Sequence, residues 1–238
     1  ASDVYKRQVQ VSPVTKFHSG AGYQYEDSVI YGFTHTNKGH WNLCHIPLLP
    51  VTGTPTPGDY CSPFSHERES AAPGYYQVFL DRYGVDAQLS STLRCAFHKY
   101  TYPAGAAASL LADLQRSNEH VRAWDIRKEG DNVFAGWQQT GEKMYFYAVA
   151  NRPVTGIEPV VEGDREVRIV RFGEGDGALE LRIGFSFVSE KNARENLEAE
   201  MLGKSFAEVR SEATATWNDL LGRIRVEGGT EREKGLFY

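Results

Sequence analysis

Residues 31–50 read YGFTHTNKGHWNLCHIPLLP and crowd imidazole, amide, ammonium and indole groups into one short segment. Such polar groups need partners wherever they are buried. The segment also lacks the run of Ser, Asp and Glu of an ordinary surface loop. Hydrogen-bonding groups beside a flat aromatic face suit a site that grips a sugar. The hydroxyls need donors and acceptors, and the C–H face of the ring stacks on an apolar plate. Trp41 is the candidate plate, and His35, Asn37 and His40 are the candidate hydrogen-bonding groups. The competing reading is a long loop whose Trp41 caps an edge of the core.

Spacing argues against a transition-metal site. His35, His40 and His45 recur every five residues. Positions five apart point to opposite faces of a strand and diverge widely on a helix. There is no HExxH, and Cys44, Cys61 and Cys95 form no CxxC pair. No metal ligand is assigned. Neither a GxSxG elbow nor a GKS/GKT loop occurs. The GEGDG run at 173–177 follows a strand pattern and leads into another, with no helix to receive a phosphate, so it reads as a hairpin turn.

The elements that must position these residues read mainly as β. Strand patterns cover 75–80, 85–94, 95–102, 109–114, 121–126, 133–138, 143–150, 167–172 and 179–185, split by turns rich in Gly and Asp. Many short strands with almost no helical period predict a β-sandwich. The character changes at Ser189, where 189–201 reads as a charged helix. Ser205 and Glu208 make a capping box for a second helix, whose apolar stripe is Phe206, Val209, Ala213, Trp217, Leu220, Leu221 and Ile224. Thr230 and Glu233 open a third, which carries Leu236, Phe237 and Tyr238. A helix that short is marginal alone. The pattern predicts three segments: 1–8, a non-native scar without the apolar core of a signal peptide; 9–188, the sandwich; and 189–238, a helical linker into a further domain.

Bulk properties narrow the class. With 238 residues and 41% hydrophobic content the chain can bury a sizeable core. A net charge of −5 with no Lys/Arg block disfavours a nucleic-acid partner. No apolar run approaches the roughly 18 residues of a membrane span. Three irregularly spaced cysteines give no disulfide framework.

Four blocks resemble the amino-terminal domain of glycoside hydrolase family 92, the calcium-dependent exo-acting α-mannosidases. The first is Gly32-Phe33-Thr34-His35-Thr36 followed by Ile46-Pro47-Leu48-Leu49-Pro50-Val51-Thr52-Gly53. The second is Phe64-Ser65-His66-Glu67-Arg68-Glu69 running to Ala72-Pro73-Gly74-Tyr75-Tyr76. The third spans 94–103, RCAFHKYTYP, and the fourth is Trp217 with 223–230, RIRVEGGT. They occur in family order. One departure stands out: many members carry a His-Leu-Ser-Gly run and a Gly-Asp pair after the first His-Thr, and here that stretch is the shorter Asn37-Lys38-Gly39-His40-Trp41-Asn42-Leu43-Cys44-His45.

The resemblance implies a galactose-mutarotase-like supersandwich whose linker helices lead to an α/α-barrel catalytic domain. It implies an inverting exo-α-mannosidase acting on α-1,2 or related linkages of N-glycans or mannans, secreted, periplasmic or at the cell surface. Calcium is implied as the cofactor of the parent enzyme, held mainly by the barrel domain. The implied partners are mannose-containing glycans and the chain's own carboxy-terminal domain. The family's acid and base are expected in that domain, so no catalytic residue is assigned here. Glycoside hydrolysis usually needs two carboxylates across the scissile bond, and no spacing pairs Glu26, Asp27, Glu67 or Glu69 in that way. Glu67, Arg68 and Glu69 also read as a surface ion-pair ladder. His66 and Glu67 complete the candidate substrate-binding set, although His66 and His98 could equally buttress a domain interface. The alternative function is a stand-alone carbohydrate-binding sandwich without hydrolysis.

Overall fold

The computed structural model describes residues 9–39, 41–175 and 177–237. The segment 1–8, His40, Asp176 and Tyr238 fall outside the described residues, and with them the reading of 1–8 as a scar. In chain order the first strands are β1 (Val9–Val14), β2 (Val29–Ile30), β3 (Gly32–Lys38), β4 (Trp41–Asn42), β5 (Leu48–Val51) and β6 (Ser62–Pro63). A 3-10 turn (His66–Arg68) leads into β7 (Glu69–Ala72), β8 (Tyr75–Leu80), β9 (Val85–Ser91), β10 (Cys95–Thr101) and β11 (Ser109–Ala112). Then follow β12 (Ala123–Gly130), β13 (Val133–Gln139), β14 (Lys143–Ala150), β15 (Val154–Glu162), β16 (Arg165–Phe172) and β17 (Leu179–Ser186).

These strands build two large antiparallel sheets. One runs β1-β3-β5-β11-β16-β15 with β4 hydrogen-bonded to β3, and the other runs β12-β13-β14-β17-β10-β9-β8-β7. Between them lies one apolar layer that includes Phe33, Leu48, Leu110, Ile169, Tyr100, Phe134, Phe146 and Ile183. Alternation makes the sandwich: along β14 every second residue is buried, as a strand with one face on a core requires. The β-sandwich expected from the sequence is therefore present.

Two local expectations fail. The GEGDG run is not a hairpin turn, because β16 belongs to the first sheet and β17 to the second. It is the crossing between layers. Gly and Asp serve either connection, so the residues alone did not tell them apart. The 31–50 segment is likewise not a long loop. It contributes β3 and β5, and β5 is buried along its whole length.

Three helices close the chain: α1 (Glu190–Glu200), α2 (Phe206–Leu221) and α3 (Glu231–Phe237). Ser189 caps α1, and the Ser205–Glu208 capping box opens α2. α1 lies on the outer face of the second sheet and crosses β17 at Gly184. A Cβ there would sit 2.1 Å from the Ala193 carbonyl oxygen, so only glycine admits the helix. Leu197, Met201, Phe206 and Val209 then form a second small core with Tyr75, Cys95 and Phe97. The stripe of α2 is only partly used. Phe206 and Val209 are buried, whereas Trp217 and Leu220 are about half exposed.

Candidate functional site

The site is best built along β3. Its pleat sends Phe33 and His35 between the sheets, where Phe33 stacks on Tyr100 with ring centroids 6.3 Å apart. His35 is fully buried. Its ring lies 4.6 Å from that of Phe185, and its Nε2 is 3.2 Å from Nε2 of His98 on β10. His98 Nδ1 is 2.5 Å from the Tyr100 hydroxyl. Burial pushes the His35 pKa down to about 3 and the His98 pKa well below the usual imidazole range, so both rings are neutral. Burial also keeps Tyr100 protonated. One proton order satisfies the chain: Tyr100 donates to His98 Nδ1, and His98 Nε2–H donates to His35 Nε2. His35 then carries its proton on Nδ1, beside the His45 and Ile46 backbone but without a closed hydrogen bond. His35 therefore sits in the core and presents nothing to a ligand.

The next inward position, Asn37, reaches the rim of the sandwich. It borders two clefts. One, of about 510 Å3, lies between the β1–β3 and β8–β9 edges and is flanked by Tyr75, Tyr76, Ser90 and Trp217 of α2. The other, of about 230 Å3, is walled by Lys38, His45, Glu119, Glu142 and Phe187. The Asn37 Oδ1 is buried and has no hydrogen bond, which is unusual for a native amide.

The β3–β4 hairpin extends past this rim. Gly39 takes a left-handed φ of +62° at its turn, where a non-glycine residue would be strained. His40 lies outside the described residues. Trp41 pairs with Lys38 across the hairpin, is 53% exposed and lies against Gly20. Asn42 anchors the hairpin from below: its Nδ2 donates to Ser12 Oγ at 2.9 Å, and its Oδ1 accepts from the Cys44 N–H at 2.8 Å. Asn118 Nδ2 donates to the Asn42 carbonyl at 2.6 Å.

The stretch that follows is strained. Cys44 and Ile46 hold left-handed φ values of 54° and 52°. A β-branched residue in that region is a genuine outlier, worth on the order of 1–3 kcal/mol. Gln138 enforces it. Its Oε1 accepts from the Ile46 N–H at 2.8 Å, and its Nε2 donates to the carbonyls of Leu114 and Arg116, each at 2.9 Å. Between the two strained residues stands His45, whose Nε2 is 3.0 Å from Glu119 and 3.1 Å from Thr140 Oγ1. The His45 contact is the main cause holding the Glu119 carboxyl down to about 2, so Glu119 is an anion at the cleft wall across the physiological range.

The remaining candidates lie elsewhere. His66 stacks on Tyr25 with ring centroids 4.0 Å apart, and its nitrogens face Glu69 Oε2 at 2.5 Å and the Tyr25 carbonyl at 2.7 Å. Two acceptors require two ring protons, and these contacts raise its pKa. Glu69 also accepts from Tyr23 and Tyr76, so His66 is a buttress. Glu67 is exposed, and Arg68 pairs with Asp81 in place of its glutamate neighbours. Neither His66 nor Glu67 borders the two clefts at Asn37. Of the sequence candidates, Asn37 and Trp41 lie on one hairpin, Trp41 opposite Lys38 and outside both clefts that Asn37 borders, and His35, His66 and Glu67 lie apart from them. Sequence reasoning passed over His45, Asn118, Glu119 and Gln138, whose partners lie far away in the chain. Among the described residues no three His, Cys, Asp or Glu side chains converge to hold a metal.

The fold is a two-sheet antiparallel sandwich with three helices after its last strand. The chain belongs to glycosyl hydrolase family 92: the family's N-terminal domain model matches residues 8–197, and its catalytic domain model matches 192–238. A family 92 α-mannosidase of Bacteroides thetaiotaomicron superposes with a TM-score of 0.84 at 24% identity, over 95% of this chain and 37% of that one. The same enzyme in complex with mannoimidazole gives 0.83 at 23% identity, over 95% and 36%. An inverting family 92 mannosidase of Bacteroides thetaiotaomicron VPI-5482 gives 0.80 at 23%, over 95% and 33%. A secreted, uncharacterized glycosidase of Arthroderma benhamiae is 23% identical, over 96% of this chain and 36% of that protein. The chain thus spans about a third of the length of these relatives.

Proposed function

We propose that this chain is the sugar-contacting and structural amino-terminal domain of an inverting exo-α-mannosidase. Its substrates are mannose-containing glycans, N-glycans or mannans, cleaved at α-1,2 or related linkages. One observation carries the reading: the exposed Trp41 and Asn37, whose Oδ1 is buried and unsatisfied, sit on a hairpin whose rim cleft at Asn37 is shared with Trp217 of α2. The catalytic-domain match begins at 192, so α2 belongs to the part that leads into catalysis. The hairpin therefore stands where the two domains would meet a ligand. Trp41 stacks on the sugar ring, and Asn37 Oδ1 accepts from a hydroxyl. Mannoimidazole bound to a relative of the same fold supports a mannose-type ligand. The acid and base lie outside the described residues, and the chain alone is inactive. As with the secreted relative, the enzyme works outside the cytoplasm.

Kinetics of the full-length enzyme test this. Stacking worth about 1–3 kcal/mol predicts that Trp41→Ala lowers kcat/KM by about 5- to 150-fold while the protein stays folded. Unchanged kinetics, or a variant that simply unfolds, would leave Trp41 as a core cap. Turnover of an aryl α-mannoside by the 238-residue chain with calcium present would refute its inactivity.

A further inference from the structure

The passage from β4 into β5 breaks the register of the strand that both of them pair with. Above it Asn42 lies opposite Asn37, and below it Leu48 lies opposite Phe33. Six steps separate Asn42 from Leu48, but only four separate Asn37 from Phe33. Two extra residues are therefore packed into the stretch that holds Cys44, His45 and Ile46. An insertion of two keeps every side chain on its own face, where an insertion of one would reverse them. A bulge of this kind bends its strand and sharpens the local twist. Below it β5 runs in unbroken register with β11 from Leu48 to Val51. What the bulge redirects is the part above, the hairpin with Asn37 and Trp41.

Its fixed point is Gln138, which reaches across from the opposite sheet and stands 92 residues from Ile46 in the chain. Gln138 is buried on the same face of β13 as the core residue Phe134. An amide in such a layer is costly unless its groups are paired, and here they are. Oε1 takes the Ile46 N–H, and Nε2 donates to both the Leu114 and the Arg116 carbonyl. The segment that Gln138 grips goes on to hold β4. Ser117 Oγ and the Asn118 N–H both donate to the Leu43 carbonyl, at 2.8 and 3.0 Å. Asn118 Nδ2 holds the Asn42 carbonyl beside it. One amide thus pins the bulge and the rail that carries the returning strand of the hairpin.

The left-handed Cys44 and Ile46 hold strain that the regular pairing of β5 with β11 does not require. Such strain persists only where surrounding contacts over-determine it, and it gathers at sites that need a fixed geometry. We propose that Gln138 is a positioning residue for the sugar: by holding the bulge it sets the angle at which the hairpin presents Trp41 and Asn37. Gln138 acts through the hairpin and needs no contact with the ligand. This rests on the hairpin being the sugar-contacting edge and adds to it a residue from the other sheet.

The full-length enzyme tests it. Gln138→Met keeps the volume and removes all three hydrogen bonds, and Gln138→Asn keeps the amide but ends a methylene short of Ile46. Each should lower kcat/KM for an α-mannoside by about 5-fold or more, mainly as a raised KM, with the circular dichroism unchanged. In the Trp41→Ala background the same substitutions should cost no more than about 2-fold, because the plate they misplace is gone. Labelling with 5-fluorotryptophan reads the aim without sugar: the Trp41 signal of the ligand-free enzyme should shift in both variants. An unmoved Trp41 signal, or an equal kinetic loss with and without Trp41, would overturn the proposal. So would failure of both variants to fold, which assigns Gln138 to the fold itself. Trp41→Ala with unchanged kinetics defeats the sugar-contacting reading, and the role of Gln138 with it. A loss in Trp41→Ala but none in the Gln138 variants defeats this proposal alone.

Discussion

The two ends of β3 treat similar chemistry in opposite ways. Only Thr36 separates His35 from Asn37, and both point between the sheets. At His35 the facing sheet supplies His98 and Tyr100, so Nε2 joins a buried hydrogen-bonded chain and the ring is held neutral, with Nδ1 left without a partner. At Asn37 the sandwich opens, the amide oxygen is left unsatisfied, and the next turn carries an exposed tryptophan. A polar residue in a strand becomes structural or functional according to what the opposite sheet offers it. Residue type decides much less.

The largest effect expected from this contrast is on stability. His35→Ala removes a buried ring and orphans His98 Nε2. Cavity and lost hydrogen bond together should cost about 2–5 kcal/mol in urea or thermal unfolding. Trp41→Ala should cost about 1 kcal/mol or less, since its side chain is half in water. Equal losses would erase the distinction between the two ends.

Acid provides the next test. Unfolded histidine binds a proton below about 6.5, whereas folded His35 holds out to about 3 and His98 is also strongly lowered. Between those limits the unfolded state binds more protons, so stability falls as the pH drops, by about 1.4 kcal/mol per unit for each such group. A denaturation midpoint independent of pH from 7 to 5 would contradict the neutral pair. His66 has the opposite sign. Its folded pKa is raised, so its contribution is complete below the unfolded value and is lost as pH rises through the folded one. His66→Ala should therefore destabilise more at pH 6 than at pH 9, read as the difference between wild-type and variant midpoints.

The smallest effect is at the rim. Glu119 is lowered to about 2, but its side chain is 42% exposed, so its pairing with His45 is screened. The stability lost in Glu119→Gln should be a few tenths of a kcal/mol at neutral pH. It should disappear as the pH falls from about 4.5 to about 2, because the lowered pKa stabilises only above the unfolded value.

Much of the fold was legible because it is written in local pattern. Alternation from Tyr75 onward marks most of the second sheet, and Ser205 with Glu208 marks the start of α2. What was missed depends on distant partners. β3 carries Thr and His at positions that read as polar, and their burial makes sense only with His98, Tyr100 and Asn42 in place. β15 contains Gly156 and Pro159, which break a strand pattern yet are tolerated on a sheet edge. At the site, Trp41 and Asn37 were visible as an aromatic beside an amide. His45 and Glu119 stand 74 residues apart in the chain, and only the fold joins them.

The central claim is that the hairpin rim, and not the histidine core beneath it, meets the sugar. The most direct measurement uses full-length enzyme labelled with 5-fluorotryptophan, with the Trp41 resonance assigned by its loss in Trp41→Phe. On addition of mannoimidazole the account predicts that the Trp41 fluorine signal shifts in a saturable way while that of Trp137, which is stacked under Lys143 on β13, stays in place. A Trp41 signal unmoved at saturating ligand would contradict it.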